Sequence, residues 1–184
     1  ANQVLIHALS HESAAEIDTT RGYVALSHSL MDARQFKAAR DLLDRFDEDR
    51  PTEVELARAR LAVEEKRFDE ARELAGQALF AEPGRCMAYR VFARAIAPER
   101  PADSLGHFRA AVVCDPTEIE SLFLLAGLEL EAGRLDRARE LFSQYLERAY
   151  PRRSDELRDA QREHAQKMVD RLGRNGVVLT QATC

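Results

Sequence analysis

The chain has 184 residues, of which 45% are hydrophobic and 32% are charged, and its formal net charge is −5. This composition is ordinary for a globular protein, and the length is sufficient for a sizeable core in a single domain. The negative charge argues against nucleic acid as the main partner. No run of about 18 apolar residues is present, so no membrane-inserted helix is predicted.

The N-terminal segment, residues 3–17, is predicted to be a leading helix or half of a repeat. Its short apolar run Val4-Leu5-Ile6 is a plausible surface for a homodimer. His7 and His11 stand four residues apart, as metal-binding pairs on a helix do, but only Glu12 is near enough to add a third ligand. We therefore expect a solvated polar face here and no metal site.

A repeated pattern runs from about residue 20 to residue 152. Small residues recur at intervals of 32, 33 and 34 at Ala39, Ala71, Ser104 and Ala138. A proline follows each of them at Pro51, Pro83, Pro116 and Pro151. The repeats are predicted at 20–51, 52–85, 86–118 and 119–152. A period in this range predicts a helical solenoid, an architecture that usually binds partners rather than catalyses reactions.

Each repeat is predicted to contain two helices joined by a short turn. The first helices carry small residues that allow close approach of a neighbouring helix, at Ser27, Ala59, Ala93 and Ala126. The second helices carry a further residue on the core face at Leu43, Ala75, Phe108 and Phe142. Gly133 suits the left-handed end of a first helix, and Pro98 with Pro101 predicts an altered turn in repeat three. Repeat two departs from the pattern because Glu55 and Arg58 replace bulky apolar residues.

A fifth helical segment follows the repeats. Ser154 is a candidate N-cap, and an apolar stripe then leads to Gly173, which is predicted to end the helix. The polar remainder of residues 154–172 suits a helix that caps the array. Residues 174–184 are predicted to be a flexible tail.

The pattern resembles the tetratricopeptide repeat (TPR) family over residues 20–152, most closely from Leu125 to Phe142. The resemblance implies an all-α fold, a right-handed superhelical α-solenoid of antiparallel helix pairs with a C-terminal capping helix. It places residues 1–173 in one repeat domain. The family's usual ligand is an extended peptide or a partner helix, held in a concave groove that the first helices line.

The resemblance also implies which side chains face this groove. They are Val24, His28, Met31, Leu56, Arg60, Val63, Met87, Arg90, Arg94, Phe123 and Leu130. The groove would have apolar ends and a basic centre, where arginines can bind a ligand carboxylate or instead pair with Glu53, Glu55 or Glu64. Ala57 and Val91 stand where the family's clamp for chaperone tails needs polar side chains, so we do not expect a chaperone-tail co-receptor.

No phosphate-binding loop, nucleophile elbow or HExxH motif occurs in the sequence, so we expect no enzymatic activity and no cofactor. The leading hypothesis is a non-enzymatic interaction module, an adaptor or a secretion- or assembly-type chaperone. One alternative is a self-associating scaffold. Another is a regulatory or docking domain of a larger enzyme.

The three cysteines form no CxxC pair and no zinc-ligand spacing. Cys86 and Cys114 are predicted to be small buried apolar residues, and Cys184 a terminal thiol. This pattern fits a reducing compartment. We expect a cytoplasmic location, or a periplasmic or envelope-associated one if a leader was removed.

Overall fold

The computed structural model describes residues 19–46, 51–149 and 156–181, which form nine α-helices, one 3₁₀ turn at Asp44–Phe46 and no strand. The helices are α1 Thr19–Asp32, α2 Phe36–Leu43, α3 Thr52–Glu64, α4 Phe68–Ala81, α5 Cys86–Ile96, α6 Pro101–Cys114, α7 Ile119–Glu131, α8 Leu135–Arg148 and α9 Glu156–Gln181. The prediction of an all-α fold is confirmed. First helices α1, α3, α5 and α7 alternate with second helices α2, α4, α6 and α8, as the repeat pattern predicts.

The chain divides into two compact units, Ala1–Pro98 and Glu99–Cys184. The boundary lies between the two helices of the third predicted repeat, where the sequence contains Pro98 and Pro101. Helices α1 to α5 belong to the first unit and α6 to α9 to the second. The sequence instead predicted one domain over residues 1–173.

The small residues of the repeat pattern are all completely buried. They are Ser27, Ala59, Ala93 and Ala126 on the first helices and Ala39, Ala71, Ser104 and Ala138 on the second helices. The core residues predicted four positions further along the second helices are also buried, at Leu43, Ala75, Phe108 and Phe142. Interiors pack at crystal-like density, so a larger side chain at any small position would force its neighbours apart.

Three of the four turns between a first and a second helix share one backbone conformation. Arg34, Lys66 and Gly133 have φ of 57°, 61° and 73° and are each the second residue after the end of α1, α3 or α7. In the first of these turns, Arg34 N–H donates to Met31 and Gln35 N–H donates to Leu30, and the other two turns repeat this arrangement. This is the Schellman motif, which satisfies the last carbonyls of a helix. In the third repeat, the described residues of the predicted altered turn have no positive φ.

Arg58 and Glu55 explain why repeat two departs from the apolar pattern. Arg58 Nη1 lies 3.1 Å from Glu55 Oε1, and Arg58 Nη2 donates to the Leu43 carbonyl at 2.9 Å. Leu43 is the last residue of the short helix α2, whose final carbonyls have no partner within the helix. The guanidinium therefore supplies a hydrogen bond that an apolar residue at this position could not make.

The C-terminal helix α9 extends beyond its predicted end. It continues through Gly173 to Gln181, so the predicted end of the helix at Gly173 is wrong, whereas the flexibility of residues 174–184 stays a prediction. A single glycine costs a helix only about 1 kcal/mol, which is too little to end one that continues on both sides. Residues 182–184 and the predicted N-cap Ser154 lie outside the described residues.

Helix α9 packs on α8 in the second unit. Ala165 and Leu172 are buried, and Tyr145 of α8 donates a hydrogen bond to Gln161 Oε1 at 3.4 Å. Arg162 donates to the carbonyl of Ala149, just beyond the end of α8. These contacts are those expected of a helix that covers the last repeat.

Two further sequence predictions concern the N-terminus and the cysteines. Residues 3–17, with Val4-Leu5-Ile6, His7 and His11, lie outside the described residues. Cys86 and Cys114 are both disulfide-bonded, Cys86 is half-buried and Cys114 is exposed, so the prediction of two buried thiols is wrong. They are the first residue of α5 and the last of α6, positions at helix ends where the apolar stripe does not extend. No described helix is long and apolar enough to cross a membrane.

Candidate functional site

Polar side chains of the first unit come together where its three first helices adjoin. Helix α1 packs against α3, and α3 packs against α5. Residues at equivalent positions of these helices therefore lie side by side. We call this region the first-helix surface and define it by His28, Asp32, Arg60, Glu64, Arg90 and Arg94.

The arginines of this surface form two ion pairs of the same kind. Arg60 Nη2 lies 2.5 Å from Asp32 Oδ1, and Arg94 Nη1 lies 2.9 Å from Glu64 Oε1. In each pair the arginine contacts an acid on the preceding first helix. The acids are 32 residues apart and the arginines 34 apart, so the pairs recur with the repeat. The sequence named Glu64 as a possible partner but missed Asp32, although the matching interval was visible.

The two partners in the first pair differ in their access to solvent. The side chain of Asp32 is 67% exposed, whereas that of Arg60 is only 15% exposed. Water competes strongly for an exposed carboxylate, so the pair contributes little net stability. Asp32 can therefore leave Arg60 at a small cost in free energy.

His28 lies on α1 one turn before Asp32 and is half-buried. Burial and, after it, the positive charges of Arg60 and Arg90 lower its pKa to about 4, although the charge of Asp32 opposes them. The imidazole is therefore neutral at pH 7. Among the described residues, the buried atoms His28 Nε2 and Arg60 Nε have no hydrogen-bond partner.

Three predicted groove residues of the first unit belong to its core. Met31, Leu56 and Val63 are 3%, 2% and 7% exposed, so their side chains cannot face a ligand on the surface. Met31 packs in the cluster that joins α1, α2 and α3, and Val63 packs in the cluster of α3, α4 and α5. Leu56 packs in a third cluster, with Ala78 of α4 and Ala88 of α5. Val24 and Met87 are half-buried against these clusters, and their role in a groove stays a prediction.

The two predicted groove residues of the second unit, Phe123 and Leu130, are half-buried on α7. Phe123 packs against its own unit, with ring centroids 5.9 Å from Phe142, 5.3 Å from Tyr145 and 5.8 Å from His164. His164 belongs to α9, so the C-terminal helix contributes to the surroundings of Phe123. Ligand contact by Phe123 or Leu130 stays a prediction. No cluster of three or more potential metal ligands occurs within the described ranges.

No protein-family profile and no curated protein sequence matches the chain. Solved structures do match it. The chain resembles YrrB, "a TPR protein with an unusual peptide-binding site", with a TM-score of 0.52 and 18% identity over 94% of this chain and 92% of that one. The chain has the tetratricopeptide repeat fold.

Other solved structures give similar scores. MamA from Desulfovibrio magneticus RS-1 has a TM-score of 0.57 and 17% identity over 83% of this chain and 86% of that one. A human IFIT1 dimer with PPP-AAAA has a TM-score of 0.56 and 19% identity over 79% of this chain and 39% of that one. At these identities the likeness establishes the TPR fold alone.

The one buried charged residue among the described residues, Glu129, was not predicted from the sequence. Glu129 of α7 has no exposed surface, and its carboxylate accepts hydrogen bonds from Arg109 and Arg134. Burial opposes ionisation of Glu129, but the hydrogen bonds from Arg134 and Arg109 outweigh it and lower the pKa. Its partners come from α6 and from the turn before α8, so they depend on tertiary packing. The arrangement stabilises the second unit and presents no reactive group.

Proposed function

We propose that this chain is a non-enzymatic protein-interaction module whose first-helix surface holds a peptide segment or a partner helix. An adaptor or a secretion- or assembly-type chaperone would use such a surface. The TPR fold supports the proposal because arrays of this kind act mainly through their surfaces. The peptide-binding site named for YrrB is a precedent on the same fold.

One observation carries the proposal for this particular surface. Arg60 and Arg94 lie on adjacent first helices, and each pairs with an acid of the preceding first helix, Asp32 or Glu64. The side chain of Asp32 is 67% exposed, and ion pairs with an exposed partner contribute little net stability. The polar groups of a bound peptide can therefore replace such a partner.

The test is selection from a random-sequence peptide library by the immobilised full chain. The affinity of the selected peptides is then compared between the wild type and the double variant Arg60→Gln with Arg94→Gln. We expect the double variant to bind about tenfold or more weakly, because charge-assisted hydrogen bonds contribute more than neutral ones.

The matched control is Arg40→Gln with Arg72→Gln. These arginines also form ion pairs, with Glu65 and Asp69, but they lie on the second helices α2 and α4. The control variant should bind the selected peptides as the wild type does. Selection of no peptide, or equal loss of binding in both double variants, would contradict the proposal.

Self-association as a scaffold is a second candidate, favoured by one exposed aromatic residue. Phe80 on α4 is 92% exposed, so its ring is available for contact with a second copy of the chain. If copies associate through this residue, the sedimentation-derived mass of the wild type should rise with concentration and that of Phe80→Ser should not. A constant monomer mass for both proteins would exclude this candidate.

A further inference from the structure

A small cavity lies between α2, α3 and α4 of the first unit. Three arginines, Arg40, Arg58 and Arg67, line it together with two acids and two leucines. Its volume is about 100 Å³, which is room for about three water molecules or for a small ion in their place. The cavity shares no residue with the first-helix surface, so a site here is separate from the proposed peptide site.

The three arginines reach the cavity from different elements. Arg40 belongs to α2, Arg58 belongs to α3, and Arg67 lies in the turn that precedes α4. The side chains of Arg40 and Arg67 are 47% and 40% exposed. A ligand in solution can therefore contact their guanidinium groups without any opening of the fold.

Acids hold these guanidinium groups in place. Glu65 accepts hydrogen bonds from Arg40 and from Arg67, whose Nη2 lies 2.6 Å from Glu65 Oε2. Arg58 Nη1 lies 3.1 Å from Glu55 Oε1. A guanidinium has five N–H donors in one plane, so an arginine that is held along one edge can donate from another. The pair with Glu65 engages Nη2 of Arg40, and its other N–H groups can donate to a ligand.

The wall of the cavity carries a net positive charge, because only two acids, Asp44 and Glu70, line it beside the three arginines. Glu70 pairs with Arg67 but is 46% exposed. An ion pair this exposed contributes little net stability, so a ligand oxygen can take the place of Glu70 at a small cost. The wall therefore favours an anionic ligand.

The arrangement of the donors fits a phosphate group better than a carboxylate. A planar carboxylate matches the fork of one guanidinium. A phosphate group has three strong acceptor oxygens and a charge of about −1.5 to −2 at pH 7, so it can accept hydrogen bonds from several arginines at once. Guanidinium groups on three sides of a small cavity match such a group.

We propose that this cavity binds the phosphate group of a small molecule through Arg40, Arg58 and Arg67. The group can be free inorganic phosphate or the phosphomonoester of a metabolite, because both present the same oxygens. The inference does not rest on the proposed function. It gives the interaction module a second ligand at a second site.

The experiment is a calorimetric titration of the full chain with inorganic phosphate and with methyl phosphate. Sodium chloride at equal ionic strength is the reference for both. We expect inorganic phosphate to bind with a saturable signal that chloride does not give. Equal affinity for methyl phosphate would show that the site accepts a phosphomonoester, whereas binding of inorganic phosphate alone would identify the free ion as the ligand.

Two substitutions with opposite effects locate the site. Arg40→Gln should weaken phosphate binding about tenfold, because it removes a charge-assisted donor from the wall. Asp44→Asn should strengthen binding several-fold, because it removes a negative charge from the wall. Arg72→Gln is the matched control, since Arg72 also belongs to a second helix and pairs with an acid, Asp69, but does not line the cavity. It should bind phosphate as the wild type does.

The outcomes separate this inference from the proposed function. A titration with phosphate that does not differ from the one with chloride would overturn the phosphate site, and so would equal affinity of Arg40→Gln, Asp44→Asn and the wild type. Either result leaves peptide binding by the first-helix surface untouched, because the two sites have no residue in common. If Arg40→Gln fails to fold, Asp44→Asn still decides, because Asp44 is exposed and a gain of affinity cannot come from a loss of structure.

Discussion

Arg109 Nη2 lies 2.5 Å from Oε1 of Glu129, a carboxylate that has no solvent-exposed surface. Arg134 contacts the other oxygen of the same carboxylate. Glu129 is the third residue from the end of α7. Arg134 immediately follows Gly133 in the turn between α7 and α8. In the other Schellman turns an apolar residue, Leu30 or Ala62, occupies the position of Glu129. The second unit thus holds its turn with a buried ion pair where the first unit uses apolar contacts.

Glu129→Gln should lower the free energy of unfolding by about 2 kcal/mol at pH 7, because two arginines lose a charged acceptor that is buried. The pKa of Glu129 is lowered in the folded state. Its contribution to the free energy of unfolding is therefore complete above the ordinary carboxyl pKa and is lost as the pH falls through the lowered pKa. Urea unfolding at pH 7 and at acid pH measures both effects. The control Glu163→Gln changes an exposed glutamate of α9 and should leave the unfolding midpoint unchanged.

Two turns carry a non-glycine residue in a conformation that glycine prefers. Arg34→Gly and Lys66→Gly should each stabilise the protein by about 0.5–1 kcal/mol, because both residues have positive φ. Gly133→Ala should have the opposite effect, since Gly133 has φ of 73°. Thermal unfolding measures all three variants. Glu73→Gly, in the middle of α4, is the control and should destabilise by about 1 kcal/mol.

Acid should destabilise the first unit through His28. Its folded-state pKa of about 4 lies below the ordinary value of 6.5, so the unfolded chain binds the proton more readily. His28 therefore does not lower the free energy of unfolding above pH 6.5. As the pH falls from 6.5 towards 4, this free energy should decrease by at most about 3 kcal/mol. Chemical denaturation across this range, compared with His28→Gln, measures the effect. An imidazole that titrates near pH 6.5 by NMR would refute the prediction.

The number of free thiols reports whether Cys86 and Cys114 are oxidised. Two of the three cysteines, Cys86 and Cys114, are disulfide-bonded, which leaves at most one thiol. A thiol-reactive dye should therefore label at most one group per chain in denaturant without reductant and three after reduction. Labelling of three thiols before reduction would show that the oxidised state is not the one that forms in solution.

Much of the fold could be predicted from local sequence pattern. The recurrence of Ala59, Ala93 and Ala126 predicted helix pairs, and each of these residues is completely buried. This succeeds because a helix places residues three and four apart on one face, so the spacing of small and large residues specifies which face is packed. The prediction of the turn at Gly133 succeeded for a similar reason, since glycine tolerates positive φ without strain.

Other features depended on where separate helices meet. Asp32 pairs with Arg60 across 28 residues, and Glu129 pairs with Arg109 across 20, because tertiary packing brings their helices together. Met31 was predicted to face a ligand and instead lies in the core, since the side of a helix that is covered depends on its neighbours. The sequence by itself determined the helices, their repeat and their small buried contacts, which arise from interactions within a few turns. Only the tertiary structure decided the charge partners and the surface available to a ligand, because those depend on distances between helices.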